Sequence, residues 1–151
     1  MELEVKKTIE KLTGFHKPSM RALIEAVHRD QGLLPQFYWP LDLLGAEMAT
    51  CDAWGVVVED RVLAFVLYRD LPAAWEISLV VTHPDFRRQN LMAELLRNII
   101  NAPSRDKELW LEVHEENTAA QKLYEKLGFK ETGRRPRYYK DGATAILYRR
   151  S

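Results

Sequence analysis

Two side chains in the second half of the chain could perform proton transfer, and an asparagine lies near one of them in the sequence. Glu112 follows Trp110 on one face of the strand-like run ELWLEVH, so a carboxylate on a covered face is a candidate general base. Asn117 and Tyr124 are seven residues apart in a helix-like run and therefore share a helix face. A phenol there could donate a proton to a leaving group. Taken singly, Glu112 could equally be a solvated surface carboxylate, and Tyr124 a core aromatic.

A second candidate is a phosphate-binding loop. A strand-like run leads through Pro84 into a basic segment, and an amphipathic helix follows. Free N–H groups at a helix N-terminus, next to cationic side chains, can bind phosphate. The candidate loop residues are Arg87, Arg88, Gln89, Asn90, Leu91 and Met92. Asn90 tolerates the left-handed conformation, whereas Met92 brings a long side chain to a close-fitting loop. An ordinary helix with a basic first turn is the alternative.

Length and composition indicate one domain and exclude several classes. The chain has 151 residues, is 46% hydrophobic, and carries 22 basic and 22 acidic residues. A neutral chain has no overall field that favours nucleic acid or anionic membranes. The single cysteine, Cys51, and the charged N-terminus predict a cytoplasmic protein. The four histidines are scattered, so we expect no metal site. A monomer and a homodimer both remain open.

Hydrophobic periodicity and turn residues predict the element order β-α-α-β-β-β-α-β-α-β-β. The first strand falls within residues 3–12, although a helix is possible there. A mixed sheet with helices on both faces is the expected architecture. The helix that carries Tyr124 has clear boundaries. Thr118 and Gln121 form a candidate capping box before it, and Gly128 is a candidate stop behind it. The segment GRRPRYYKDG is predicted to be rich in turns.

Two motifs resemble those of the GNAT superfamily of acyl-CoA N-acyltransferases. RRQNLMAELL is similar to the acetyl-CoA pyrophosphate loop, which usually carries glycine or alanine where this chain has Asn90 and Met92. ENTAAQKLYEKLGF is similar to the C-terminal motif N-x-x-A-x-x-L-Y-x-x-x-G-F. The resemblance extends over residues 76–148 and is weak over residues 1–50. LWLEVHEEN followed by RRPRYY is most similar to the RimI-like branch, which acetylates the N-terminus of a ribosomal protein.

This resemblance implies a single α/β (α+β) domain over residues 1–151. Its mixed central sheet would have about six to seven strands, including a splayed parallel pair, and about four helices would flank it. Acetyl-CoA would lie between the splayed strands, and no metal is implied. Backbone groups of Val80, Val81 and Thr82 would pair with its pantetheine arm.

The resemblance also assigns roles to single side chains. The loop from Arg87 to Met92 would hold the pyrophosphate, and Asn117 would form a hydrogen bond to the pantetheine side of acetyl-CoA. Glu112 would be the base, and Tyr124, near the sulfur, would be the acid.

The resulting function is transfer of acetyl from acetyl-CoA to a primary amine, with a protein N-terminal α-amine as the favoured acceptor. One alternative acceptor is a small amine, which would need a closed pocket lined by Phe37, Tyr38 and Trp39. Another alternative is a non-catalytic CoA-binding module, because Asn90 and Met92 depart from the family's loop.

Overall fold

The computed structural model describes residues 6–30, 43–102 and 105–151. The proposed pocket residues Phe37, Tyr38 and Trp39 lie outside the described residues. The elements, in chain order, are β1 (Lys7–Lys11), α1 (Lys17–Arg29), α2 (Leu43–Thr50), β2 (Asp52–Val58), β3 (Arg61–Asp70), β4 (Ala74–Thr82), α3 (Leu91–Ile100), β5 (Glu108–His114), α4 (Thr118–Lys126), β6 (Lys130–Arg135) and β7 (Ala145–Arg150). This order matches the predicted one.

The strands form one seven-stranded sheet in the order β1-β2-β3-β4-β5-β7-β6. Among the strands of the described residues, β4 and β5 run parallel, and the other neighbouring pairs are antiparallel. β3 is apolar on both faces, and each face packs into a separate hydrophobic core. Leu23 of α1 is buried in one cluster with Phe65, and Leu95 of α3 is buried in the other with Val66. The predicted mixed sheet with helices on both faces is therefore confirmed. Within the residues described, none of the helices is both long and apolar enough to cross a membrane.

Local signals account for most boundaries, with two corrections. Glu59 and Asp60 join β2 to β3 with φ of 50° and 63°, as a two-residue hairpin turn requires. The N-cap of α4 is Asn117 rather than the predicted Thr118, because its side-chain oxygen accepts the Ala120 N–H. The predicted turn-rich segment instead begins inside β6, which continues to Arg135 and pairs with β7.

The parallel pair separates part-way along its length. β4 and β5 are paired at three positions, the last joining Glu76 to Trp110, although both strands continue beyond them. On its other edge, β4 stays paired with β3, but the register shifts by one residue. Leu79 lies opposite Leu67, and Ile77, two residues earlier in β4, lies opposite the adjacent Tyr68. Ser78 is therefore the extra residue of a β-bulge, which bends a strand and increases its twist. The bulge turns β4 away from β5 and opens a cleft between them.

Candidate active site

The cleft between β4 and β5 has a volume of about 640 Å³, within the usual range for small-molecule sites. It is bounded by the two splayed strands, the N-terminus of α3 and one face of α4. The predicted site residues that line it are Val80, Val81, Thr82, Arg87, Arg88, Asn90, Leu91, Met92, Glu112, Asn117 and Tyr124. Gln89 is exposed and is absent from the lining, so its predicted part in the loop is not supported by its position.

The sheet register decides which β4 backbone groups face the cleft. The His83 N–H donates to the Leu63 carbonyl, and Val81 lies opposite Phe65 two residues further along the ladder. Backbone groups alternate in direction along an antiparallel strand, so those of Val81 point to β3. Those of Val80 and Thr82 point into the gap that β5 has left. Val80 and Thr82, but not Val81, can offer backbone bonds to an extended ligand.

The loop before α3 adopts the shape of an anion cradle without glycine. Asn90 has φ of 57° and Arg88 has φ of 68°, both in the left-handed region. The Asn90 side chain forms no capping hydrogen bond, and its carbonyl accepts the Glu94 N–H as the first helical bond. The N–H groups of Leu91, Met92 and Ala93 therefore have no intrahelical partners and lie at the positive end of the helix dipole. They are available to an anion.

Met92 does not occupy this loop with its side chain. It is 8% exposed and belongs to the buried cluster that also contains Leu95, Leu96 and Leu111. Because it is in the first turn of α3, its backbone stays at the cleft while its side chain packs into the core. The expectation that Met92 narrows the loop does not fit this placement.

Arg87 is already engaged. Its Nη1 lies 2.7 Å from Oδ2 of Asp30, the residue that follows α1. Its Nη2 is buried and has no hydrogen-bond partner among the described residues. This guanidinium therefore attaches the loop to the end of α1, and the role of Arg87 as a phosphate ligand remains a prediction. Arg88 is exposed and lines the cleft, so its guanidinium is better placed than that of Arg87 to contact an anion at the N-terminus of α3.

The carboxylate of Glu112 is partly buried at the cleft. Its Oε1 lies 3.4 Å from Nη1 of Arg135, and its side chain is 28% exposed against 58% for Arg135. The Tyr138 hydroxyl also donates to Glu112, and this bond is the main reason that the pKa of Tyr138 is raised. A base at this position is thus contacted by β6 and by the loop between β6 and β7, which is residues 136–144.

The phenol of Tyr124 is buried in the wall of the cleft. Desolvation raises the pKa of Tyr124 far above its ordinary value, and the proximity of Tyr139 adds to this. The hydroxyl therefore keeps its proton and can act as a donor. Its helix ends in a Schellman motif, in which the N–H groups of Gly128 and Phe129 reach the carbonyls of Glu125 and Tyr124. Asn117 is the N-cap of the same helix. Its side-chain oxygen accepts the Ala120 N–H, and its N–H₂ group remains available as a donor.

Three polar residues that line the cleft were not among the predicted site residues: Ser78, His114 and Tyr139. The alternation of β5 places His114 on the same strand face as Glu112, and this signal could have identified it. Tyr139 stands in a segment without periodicity. The bulge at Ser78 has no local signature, because it arises from pairing with a distant strand.

Comparison with known proteins agrees with this architecture. Residues 18–129 match the family model described as acetyltransferase (GNAT) family. The chain belongs to the GNAT acetyltransferase family. A solved structure of the ribosomal-protein-S18-alanine N-acetyltransferase from Escherichia coli superimposes with a TM-score of 0.82 at 26% identity, covering 95% of this chain and 92% of that one. The Arabidopsis thaliana NAA60 structure, at 13% identity and a TM-score of 0.77, covers 96% and 97% of the two chains and shares the GNAT fold.

Relatives with curated names cover a shorter stretch. The ribosomal protein bS18-alanine N-acetyltransferase of Haemophilus ducreyi is 34% identical over 54% of this chain and 57% of the relative. The N-alpha-acetyltransferase RimI of Mycobacterium tuberculosis is 34% identical over 56% of this chain and 53% of the relative. The GNAT chain described here thus spans little more than half the length of these relatives in each match.

Proposed function

We propose that this GNAT protein transfers an acetyl group from acetyl-CoA directly to a primary amine, and that the acceptor is a protein N-terminal α-amine. The observation that carries the proposal is the cleft itself. It brings a carboxylate, Glu112, and a protonated phenol, Tyr124, to one cavity whose other end is the unsatisfied N-terminus of α3.

The residues present fit acetyl-CoA. Val80 and Thr82 would pair through their backbone with the amides of the pantetheine arm, which needs an unpaired strand edge. The N–H groups of Leu91 to Ala93, with Arg88 beside them, would hold the pyrophosphate. The N–H₂ of Asn117 would donate to a pantetheine carbonyl. When bound, acetyl-CoA supplies an acetyl thioester, and no metal is required for its chemistry.

Glu112 and Tyr124 would move the two protons of the reaction. The acceptor ammonium must lose a proton before its nitrogen can attack, and the Glu112 carboxylate accepts that proton. As the carbon–nitrogen bond forms and the carbon–sulfur bond breaks, the Tyr124 hydroxyl would donate its proton to the leaving sulfur, and the phenolate would take the second proton that the acceptor nitrogen loses. Burial of that phenol keeps it neutral until this moment. Direct transfer needs no covalent enzyme intermediate, so Cys51, which is buried, has no part in it.

An α-amine suits this site better than a lysine side chain. Its reference pKa is about 8, against about 10.4 for lysine. The pKa difference between the ammonium and a carboxylate base is therefore smaller for an α-amine, and proton transfer to the base is less unfavourable. Two relatives named above act, by their names, on an alanine of a ribosomal protein or on an N-terminal α-amine. A cytoplasmic location is part of the proposal, because a free cysteine fits a reducing compartment.

The test combines purified protein, acetyl-CoA and three matched peptides. One begins with a free alanine, one is the same peptide with an acetylated N-terminus and an internal lysine, and one carries both free amines. We expect thiol release and a single added acetyl group on the α-amine, located by mass spectrometry. Spermidine and free lysine are included as small acceptors.

Other results would contradict the proposal. Acetylation of the small amines alone would assign a small-molecule acceptor, and acetylation of the internal lysine alone would exclude an α-amine. Calorimetry with acetyl-CoA is run beside the assay. Binding without turnover of any acceptor would favour the non-catalytic CoA-binding module. Absence of binding would refute both this module and the two acetyltransferase hypotheses.

A further inference from the structure

His114, at the end of β5, is a buried histidine that the proposed chemistry does not use. It is 3% exposed and lies two residues beyond Glu112 on the same strand face. Its Nδ1 is 3.1 Å from the backbone nitrogen of Glu116, and its Nε2 is 2.8 Å from Oδ2 of Asp141. Both ring nitrogens therefore have a protein partner.

These two contacts determine the tautomer of His114. A backbone N–H can only donate, so Nδ1 must be the acceptor, and Nε2 carries the proton that is donated to Asp141. With both nitrogens engaged, the ring has no site left to exchange a proton with a substrate. A positioning role fits this geometry better than a catalytic one.

Asp141 transmits this contact to the loop between β6 and β7. Its Oδ1 accepts the Ala143 N–H at 2.9 Å, which is the main cause of the lowered pKa of Asp141, with the His114 bond as the next cause. The Ala143 carbonyl in turn accepts the N–H groups of Tyr138 and Tyr139. The loop is thus closed on itself, and Asp141 attaches its middle to β5. Its last residue, Thr144, is bonded separately to Glu115, the residue after β5, through the Thr144 N–H to Glu115 Oε1 and the Glu115 N–H to the Thr144 carbonyl.

The two tyrosines of this loop face the proposed base. The ring of Tyr139 lies 4.8 Å from the ring of His114 at 33° between planes, and Tyr139 lines the cleft. Desolvation, with a contribution from Glu112, raises the pKa of Tyr139 to about 12. The Tyr138 hydroxyl lies close enough to the Glu112 carboxylate for that carboxylate to be the main cause of its raised pKa. An amine that gives its proton to Glu112 must therefore approach beside this loop.

We propose that His114 and Asp141 form a clasp that holds the Tyr138–Tyr139 loop in place and so shapes the acceptor side of the cleft. The inference rests on the proposed function, because it assigns the amine to the side of Glu112 that faces this loop. The clasp acts through the loop and leaves the cofactor side, at β4 and α3, unchanged. Asp141 and His114 are thus positioning residues for acceptor binding.

Steady-state kinetics with the alanine-terminated peptide test the clasp. We expect Asp141→Ala to raise the KM for the peptide about tenfold, and Asp141→Asn, which keeps one acceptor oxygen, to raise it less. The Kd for acetyl-CoA should stay within twofold of the wild type in both. His114→Gln should raise the peptide KM, and the double variant His114→Gln with Asp141→Ala should be no worse than the worse single variant. Asp106→Ala, an exposed aspartate outside the cleft, is the control.

Independent, additive effects of the two single substitutions would overturn the clasp, as would an unchanged peptide KM in Asp141→Ala. A parallel loss of acetyl-CoA affinity would indicate general damage to the site and would also overturn it. If the wild type acetylates no acceptor, the proposed function fails, but the clasp is still decided by ¹⁵N NMR of the histidine rings. The His114 ring, assigned by its absence from the spectrum of His114→Gln, should then have the Nε2–H tautomer in the wild type and lose that state in Asp141→Ala. Any other state of this ring in the wild type would refute the clasp.

Discussion

The Glu112 carboxylate and the Arg135 guanidinium form an ion pair across the acceptor side of the cleft, with Oε1 and Nη1 3.4 Å apart. In the proposed mechanism, this cation would orient the carboxylate, and Arg135, as the more exposed partner, would move away when an acceptor ammonium arrives. Exposed pairs of this kind contribute little to stability, about 0–1 kcal/mol. In the proposed mechanism the ion pair would therefore affect proton transfer more than folding.

Replacing this carboxylate should separate chemistry from cofactor binding. We expect Glu112→Gln to lower kcat by about 100- to 10,000-fold, because an amide cannot accept the ammonium proton. The Kd for acetyl-CoA, measured by calorimetry, should change less than twofold. Glu116→Gln, an exposed glutamate four residues away, is the matched control and should keep wild-type kcat. An active Glu112→Gln would remove Glu112 from the mechanism.

Tyr124→Phe should lower kcat by about 100-fold or more, because the leaving sulfur loses its proton donor. Tyr148→Phe is the control: Tyr148 is also buried and its ring lies 6.1 Å from that of Tyr124, but it does not line the cleft. Stopped-flow measurement of thiol release with both variants decides the point. Equal activity in Tyr124→Phe and Tyr148→Phe would refute the proposed acid.

The raised pKa of Tyr124 also predicts a pH dependence of stability. The unfolded phenol ionises near pH 10, whereas the folded one holds its proton to higher pH. The folded state thus binds more protons above pH 10, and the stabilisation present below that pH is lost as pH rises. Urea denaturation from pH 8 to 11 should show a steeper alkaline loss of unfolding free energy for the wild type than for Tyr124→Phe. Parallel curves would contradict the assignment.

Asn90 can be tested by a pair of substitutions at one backbone position. Its φ of 57° suits asparagine and glycine, whereas alanine pays a steric penalty there. We expect Asn90→Ala to cost about 1–2 kcal/mol of unfolding free energy or to weaken acetyl-CoA binding by a comparable amount. Asn90→Gly should bind acetyl-CoA at least as well as the wild type. If both variants behave alike, the left-handed conformation is not what the loop requires.

Met92→Ala should act on stability rather than on the cofactor. The side chain is buried with Leu95 and Leu96, so its removal leaves a cavity and should cost about 2–5 kcal/mol. The Kd for acetyl-CoA, measured below the unfolding transition, should change less than threefold. A large gain in acetyl-CoA affinity without loss of stability would instead mean that Met92 obstructs the loop, as its sequence position had suggested.

Much of the molecule could be predicted because its signals are local. The alternation in residues 108–114 and the helical spacing of the segment around Tyr124 gave the right element order, and the Gly128 stop was in the right place. Glu112, Asn117 and Tyr124 reach one cleft because a strand and the helix directly after it carry them. The direction of their side chains follows from the strand period of 2.0 residues and the helix period of 3.6 residues, and both periods can be recognised in a single sequence.

The remainder depended on contacts between distant residues, which leave no periodic trace. Arg87 is bonded to Asp30, 57 positions earlier, and His114 is bonded to Asp141, 27 positions later. Met92 points into the core because α3 packs on the sheet, and the bulge at Ser78 exists only against β3. The sequence by itself determined the elements and the chemical groups. Tertiary packing decided which of those groups face the cleft, because pairing and burial are settled between segments rather than within them.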